Sequence, residues 1–296
     1  MTTYTGRPDP VTGRETTGHE WNGIEELETP IPRIVFFFLG AAFVFSVICW
    51  LLYPTWPLLW SYTKGLLDID QRTTVTRQVE QAAAERAVWT ARVMDESPEA
   101  VAADPALMRL VNEAGHTLFV DNCAACHGTG ATGGPGFPDL RAKAWLWGDG
   151  SVEAIEETIT VGINSTSDDT RSSQMLAFGR DGMLGVPEID AVVAYVRSLS
   201  NLRPAAGDDA ARIEEGSGIY ADNCASCHGE TATGNADLGA PDLTDAHWLY
   251  GSDAHSVFTS VYGGRQGHMP HWNGRLSPLD LRILALYVHG LEGQAQ

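Results

Sequence analysis

Two stretches of the 296-residue chain repeat one another, AGHTLFVDNCAACHG at residues 114–128 and EGSGIYADNCASCHG at residues 215–229. In each stretch a glycine, an aromatic residue and a cysteine follow one another at intervals of four residues. Farther along the chain, Pro-Asp-Leu, a tryptophan and a glycine recur at a constant offset of 103 residues. Each copy ends in an apolar stretch that contains Tyr-Val. This repetition predicts a duplicated domain of about 90 to 100 residues.

The centre of each copy is a Cys-x-x-Cys-His motif, formed by Cys123, Cys126 and His127 in the first copy and by Cys224, Cys227 and His228 in the second. Two cysteines at this spacing can bond to one edge of a porphyrin, and the adjacent histidine then lies under the iron. A four-cysteine zinc site would need the two pairs about 15 to 20 residues apart, and a redox dithiol would need a thioredoxin-like context. The motifs therefore predict two covalently bound haem c groups.

The sixth ligand of each iron is expected to be a methionine, because Met175 and Met269 are each followed three residues later by an aromatic residue. Met183 competes with Met175 in the first copy. Five histidines are rivals in the second copy, namely His247, His255, His268, His271 and His289. We predict that each copy supplies its own methionine, although the sequence leaves an exchange between the copies open. Closed His/Met coordination raises the haem potential and favours electron transfer over activation of oxygen or peroxide.

Four helices are predicted around these motifs, at residues 113–122, 189–199, 213–223 and 279–291, from the spacing of apolar residues. Gly115 and Gly216 would let the first and last helices of each copy cross closely. Pro138 and Pro241 are candidates for fixing a carbonyl against the histidine of the motif, or they are plain loop residues.

Residues 34–63 contain no charged side chain, and Ile34–Tyr53 alone is long enough to cross the apolar core of a bilayer as a helix. Aromatic residues crowd its C-terminal end, as at a membrane interface, and Pro54 and Pro57 would end the helix there. The competing interpretation, a cleaved signal peptide, conflicts with the length of the run and with the 33 residues before it. We predict a permanent single-pass anchor.

The chain is therefore predicted to be mainly α-helical, with one N-terminal transmembrane helix followed by two tandem cytochrome c-like haem domains. The predicted segments are an N-terminal arm at 1–33, the anchor at 34–63, a helical tether at 64–112, a first haem domain at 113–200, a linker at 201–212 and a second haem domain at 213–296.

Acidic side chains outnumber basic ones by 38 to 19, which gives a net charge of −19. A nucleic-acid-binding protein needs a cationic face, so this composition argues against that class. Residues 34–296 carry 16 basic and 32 acidic side chains. Their field would attract a basic partner, or it could equally serve solubility.

Three features together resemble the dihaem subunit III of cbb3-type cytochrome c oxidases: GHEWNGIEELETPIPR at residues 18–33, one hydrophobic span ending in YPTWP, and two Cys-x-x-Cys-His motifs. Asn22 stands where that family usually shows Asp. Carried over to this sequence, the resemblance implies one haem held by Cys123, Cys126, His127 and Met175, and another held by Cys224, Cys227, His228 and Met269.

The resemblance also implies a place in a respiratory complex of the bacterial inner membrane. The N-terminus would be cytoplasmic, and the haem domains would be periplasmic. A soluble cytochrome c would deliver electrons, and a monohaem cytochrome subunit would pass them on to the catalytic subunit, with membrane lipid around the anchor. Two alternatives stay open, which are a free-standing anchored dihaem carrier or dehydrogenase subunit, and a dihaem peroxidase with an open iron.

Overall fold

The computed structural model describes residues 6–200, 202, 204 and 209–292, so most of the predicted linker falls outside the described residues. Within these ranges the regular elements are eleven helices and one two-stranded sheet. This confirms the mainly α-helical class. The chain divides into two units, Met1–Glu85 and Arg86–Gln296.

The first unit contains a short hairpin and one long apolar helix. Strands β1 (Thr16–Trp21) and β2 (Ile24–Leu27) pair antiparallel, with Asn22 and Gly23 both at positive φ, as a two-residue hairpin turn requires. The apolar pattern of the arm did not predict this hairpin. Helix α1 (Arg33–Leu52) has no buried residue and is long and apolar enough to cross a membrane. It ends directly before Tyr53 and Pro54, as predicted.

Helix α2 (Gln71–Asp95) runs across the boundary between the units, and the second unit continues with nine further helices. These are α3 (Pro98–Ala102), α4 (Pro105–Asn122), α5 (Ala124–His127), α6 (Val152–Val161), α7 (Val186–Leu199), α8 (Ala210–Asn223), α9 (Ala225–His228), α10 (Ala254–Gly263) and α11 (Pro278–His289). The four predicted helices correspond to α4, α7, α8 and α11, whereas α6 and α10 were not predicted.

Short polar side chains begin most of these helices. At six N-termini the side-chain oxygen of the capping residue accepts a hydrogen bond from a backbone N–H of the first turn. These capping residues are Ser97, Asp104, Ser151, Asp209, Asp253 and Ser277. Such a cap satisfies donors that the helix itself leaves without a partner, and each cap stabilises a helix by about 1 kcal/mol.

The second unit holds two hydrophobic cores, and each combines helices from both sequence copies. The first core packs α4 and α6 of the first copy against α11 of the second. The second core packs α8 and α10 of the second copy against α7 of the first. The expectation that each copy closes on itself is therefore wrong for the packing of these helices.

The two cores also differ in how the chain passes through them. The second core uses residues from one continuous stretch, Met175 to Val261, in which the methionine and α7 come before the haem motif. The first core uses residues on both sides of that stretch, from Trp89 to Ile159 and from Met269 to Leu291. The second core is thus inserted into the first.

Backbone hydrogen bonds join the two copies directly after α6 and α10 end. Ile163 and Met269 exchange two N–H···O bonds of 2.9 Å each, and Met175 and Arg265 exchange bonds of 2.8 and 3.1 Å. Each methionine loop is therefore bonded to the end of a helix from the other copy. The pairing gives the physical reason why the copies share their cores instead of closing separately.

The two predicted helix crossings occur, but with exchanged partners. A Cβ added at Gly115 of α4 would lie 2.5 Å from Cβ of Tyr287 on α11. A Cβ added at Gly216 of α8 would collide with the carbonyl of Ala191 on α7. Both glycines permit close contact, as predicted, with a helix from the opposite copy.

Candidate haem sites

Each Cys-x-x-Cys-His motif lies at the break between a long helix and a single helical turn. Cys123 ends α4 and begins α5, and its N–H donates to Phe119 at 2.7 Å. Cys224 ends α8 and begins α9 in the same conformation, and its N–H donates to Tyr220 at 2.8 Å. The two motifs therefore present their side chains from equivalent backbone.

Both motif histidines are oriented by a proline carbonyl. Nδ1 of His127 lies 3.2 Å from the carbonyl oxygen of Pro138, and Nδ1 of His228 lies 3.0 Å from that of Pro241. A carbonyl only accepts, so Nδ1 carries the proton and Nε2 keeps a lone pair for a metal. Burial lowers the pKa of both histidines, while the carbonyl bond raises it. The prediction for the two prolines is confirmed.

Burial dominates the surroundings of the first cysteine of each motif. Burial, and secondarily the second cysteine of the motif, raises the pKa of Cys123 and of Cys224 to about 11. Zinc-binding and redox-active cysteines instead need lowered pKa values. In the described part of the chain, no group of three or more His, Cys, Asp or Glu is placed to hold a metal ion. The raised pKa values argue against the dithiol interpretation.

The structure brings each methionine to the motif of the other copy. Met269 packs on the first core together with Cys123, and Met175 packs on the second core together with Cys224. This arrangement differs from the predicted pairing of Met175 with the first motif and Met269 with the second, and it supports an exchange of methionines between the copies. The backbone bonds of Met269 to Ile163 and of Met175 to Arg265 hold the two methionine loops in these positions.

Most of the rival ligands are exposed or hydrogen-bonded to a backbone carbonyl. Met183 is 45% exposed. His247, His255 and His268 are exposed as well. His268 lies 2.9 Å from the carbonyl of Asn164 through Nδ1, and His289 lies 2.9 Å from the carbonyl of Gly150. His271, the fifth rival, is partly buried.

Two tryptophans at corresponding positions border the two cores and differ in their hydrogen bonds. Trp145 packs on the first core, and its Nε1 donates to a carboxylate oxygen of Glu292 at 2.6 Å. Trp248 packs on the second core, and its Nε1 is buried without a hydrogen-bond partner. A buried donor of this kind is costly unless a ligand satisfies it. The sequence marked both residues only as repeated, without a role.

A second pair of corresponding contacts places an arginine over an aromatic ring within each copy. The guanidinium of Arg171 lies 5.1 Å from the ring centroid of Trp147, and that of Arg265 lies 4.1 Å from that of Tyr250. Trp147 and Tyr250 are related by the offset of 103 residues. Nε of Arg171 is buried without a partner. The sequence did not predict these contacts, although the offset was a usable signal.

Three known families match the chain along its length. They are the N-terminal domain of cytochrome oxidase-cbb3, FixP, at residues 13–59, cytochrome c at residues 112–200, and cytochrome c oxidase, cbb3-type, subunit III at residues 211–288. The two cytochrome matches follow the sequence copies, whereas the cores cross between them.

Curated relatives resemble the chain from end to end. It is 45% identical over 287 residues to the cbb3-type cytochrome c oxidase subunit FixP of Bradyrhizobium sp. (strain ORS 278), covering 96% of this chain and 97% of the relative. It is 45% identical over 279 residues to subunit CcoP of Cereibacter sphaeroides, covering 94% of each. It is 42% identical over 285 residues to FixP of Azorhizobium caulinodans, covering 96% and 95%.

Proposed function

We propose that this chain, which belongs to the FixP/CcoP subunit III family of cbb3-type cytochrome c oxidases, holds two haem c groups and relays electrons from a soluble periplasmic cytochrome c toward the oxygen-reducing subunit. The coarser role follows from the family, since its members are membrane-anchored oxidase subunits with cytochrome c domains. The observation that carries the finer proposal is the pair of equivalent motifs, each with an oriented histidine and a methionine on the same core.

Each haem would take its ligands from both copies. Cys123, Cys126 and His127 would hold the first haem, with Met269 as the sixth ligand, and Cys224, Cys227 and His228 would hold the second, with Met175. The buried Nε1 of Trp248, which has no partner, supports the fit, because a haem propionate would satisfy it. Family membership gives covalent haem c, and the two complete motifs support a count of two.

Haem c, when bound, supplies one-electron transfer between the ferrous and ferric states. The residues of this chain set the conditions for that transfer. His127 and His228 are held by their proline carbonyls, which fixes the tautomer that can bind iron. Met269 and Met175 would occupy the remaining axial positions, which leaves no open site for peroxide. This argues for an electron carrier and against the dihaem peroxidase.

The topology and the partners are part of the same proposal. Covalent haem attachment takes place on the outer side of a bacterial inner membrane, so the haem-bearing unit would be periplasmic and the N-terminus cytoplasmic. The monohaem cytochrome subunit and the catalytic subunit would take the electrons onward. The match of residues 13–59 to the FixP N-terminal domain supports docking of the N-terminal arm within the complex.

A pull-down from native membranes in mild detergent tests this function. The eluate should carry b-type haem and consume oxygen when reduced cytochrome c is supplied, and mass spectrometry should find two haem masses on the chain. A chain without its second motif, with Cys224 and Cys227 both replaced by Ala, serves as control and should carry one. A c-type spectrum without b-type haem or oxygen uptake would instead favour the free-standing carrier.

The acidic charge of residues 34–296 predicts how the donor docks. A basic cytochrome c should be steered by this field, so turnover with the donor should fall as ionic strength rises. The measurement is oxygen uptake at increasing salt, with a small neutral electron donor as the control. A flat salt profile with the cytochrome donor would contradict the steering role.

A further inference from the structure

The two candidate haem sites differ in the group that surrounds one pair of corresponding tryptophans, Trp145 and Trp248. In the first site Glu292 accepts a hydrogen bond from the indole of Trp145 at 2.6 Å. Glu292 stands five residues after Tyr287 of α11, and the residue five positions after the corresponding Tyr195 of α7 is Ser200. The Ser200 hydroxyl donates to the carbonyl of Leu243 at 2.7 Å. A carboxylate in one site thus corresponds to a neutral hydroxyl in the other.

Several contacts hold Glu292 and Trp145 together beside the first core. Leu291, the preceding residue, packs on the same core as Trp145. Nδ1 of His289 lies 2.9 Å from the carbonyl of Gly150, and a Cβ added at Gly150 would collide with the Trp145 indole. The end of α11 and the loop that carries Trp145 are therefore locked against each other, and the carboxylate has a defined position.

A fixed anion beside a haem favours the oxidised iron, which carries one more positive charge, and this effect is stronger in a partly buried site than in water. We infer that Glu292, held on Trp145, lowers the reduction potential of the haem at the first motif relative to that at the second. This inference rests on the proposed function, namely that both motifs carry haem c. Glu292 acts on the haem potential through its charge and does not ligate the iron.

The test is a redox titration of the purified oxidase that contains the full chain, followed at the c-type absorption band. Glu292→Gln keeps a hydrogen-bond acceptor for Trp145 and removes the charge, so one c-type midpoint potential should shift upward while the others, including that of the monohaem subunit, stay unchanged. Glu113→Gln is the matched control, because it removes one acidic charge from an exposed position on α4 and should shift none of them.

The reciprocal variant Ser200→Glu places a carboxylate at the corresponding position of the second site, and it should lower a different c-type midpoint from the one that Glu292→Gln raises. The inference is overturned if Glu292→Gln leaves every c-type midpoint unchanged, or if the two variants shift the same midpoint. A wild-type chain that shows no c-type band would instead refute the proposed function, so the two failures are distinguishable.

Discussion

The two cores of the haem-bearing unit follow one plan but are stabilised by different means. The first core buries Phe119 beneath its motif and is extended by Trp89 and Val93 of α2. The second core buries Tyr220 at the corresponding position, and the Tyr220 hydroxyl donates to the carbonyl of Gly229 at 2.7 Å. One relies on additional apolar area, the other on a buried hydrogen bond. The comparison teaches that a duplicated scaffold keeps its geometry while its sources of stability diverge.

The largest effect is expected when each methionine is replaced in turn, which tests which motif each methionine serves. In a chain that keeps only the first motif, with Cys224 and Cys227 both replaced by Ala, Met269→Ala should abolish the thioether-to-iron band and lower the haem potential, because the sixth ligand is lost. Met175→Ala in the same chain should leave both unchanged. Optical spectra and redox titration measure this. If Met175→Ala abolishes the band instead, each motif takes its methionine from its own copy and the exchange is wrong.

A smaller effect compares the two helix crossings. Gly216→Ala would force a methyl group into the backbone of Ala191, and Gly115→Ala would force one into the side chain of Tyr287. Overpacking of this kind costs about 1–3 kcal/mol, and the rigid backbone should make Gly216 the more sensitive position. Thermal unfolding of the holoprotein measures the difference.

The control for the crossings lies on the same helix. An added Cβ at Gly218 of α8 meets nothing within 4 Å. Gly218→Ala should therefore stabilise the protein by up to about 1 kcal/mol, since alanine favours the helix over glycine. If Gly218→Ala and Gly216→Ala destabilise the protein equally, the close contact between α8 and α7 does not explain the sensitivity of Gly216.

The smallest effect concerns the buried phenol of the second core. Tyr220→Phe removes one hydrogen bond and should cost about 1 kcal/mol at neutral pH. Burial raises the pKa of Tyr220 to about 12, above the value of about 10 for a solvated tyrosine. The neutral phenol therefore contributes stability below about pH 10, and this contribution is lost as the pH rises toward 12.

The measurement is unfolding of wild type and Tyr220→Phe between neutral pH and pH 12. The alkaline loss of stability should be smaller in the variant, because phenylalanine does not titrate. Phe119→Tyr at the corresponding position of the first core is the matched variant, and it should introduce a new alkaline loss. Equal profiles for wild type and Tyr220→Phe would remove this distinction between the cores.

The motif residues and the apolar helix were predictable because their information is local. Two cysteines and a histidine specify their chemistry within five residues, and α1 is apparent from its lack of charge. The proline carbonyls were also predicted, since a proline follows each motif within the repeat, 11 residues after His127 and 13 residues after His228.

The exchange of cores was not predictable from the repeat itself. Because the two copies are alike, α4 could pack on α7 or on α11 by the same apolar pattern, and the choice depends on backbone pairing between distant loops. Helices α6 and α10 were missed within glycine-rich surroundings, although Ser151 and Asp253 are ordinary caps. The Trp145–Glu292 bond spans 147 residues and leaves no local signal.

The insertion of one core into the other has a consequence for biosynthesis. As the chain is synthesised from its N-terminus, the segment from Met175 to Val261 is complete and can fold while the last helix is still missing. The first motif emerges earlier but must wait for α11, since Gly115 meets Tyr287 far along the chain. Such long-range closure is slow. Folding should therefore proceed from the inside outward, and loss of the C-terminal residues should disable the haem site that was made first.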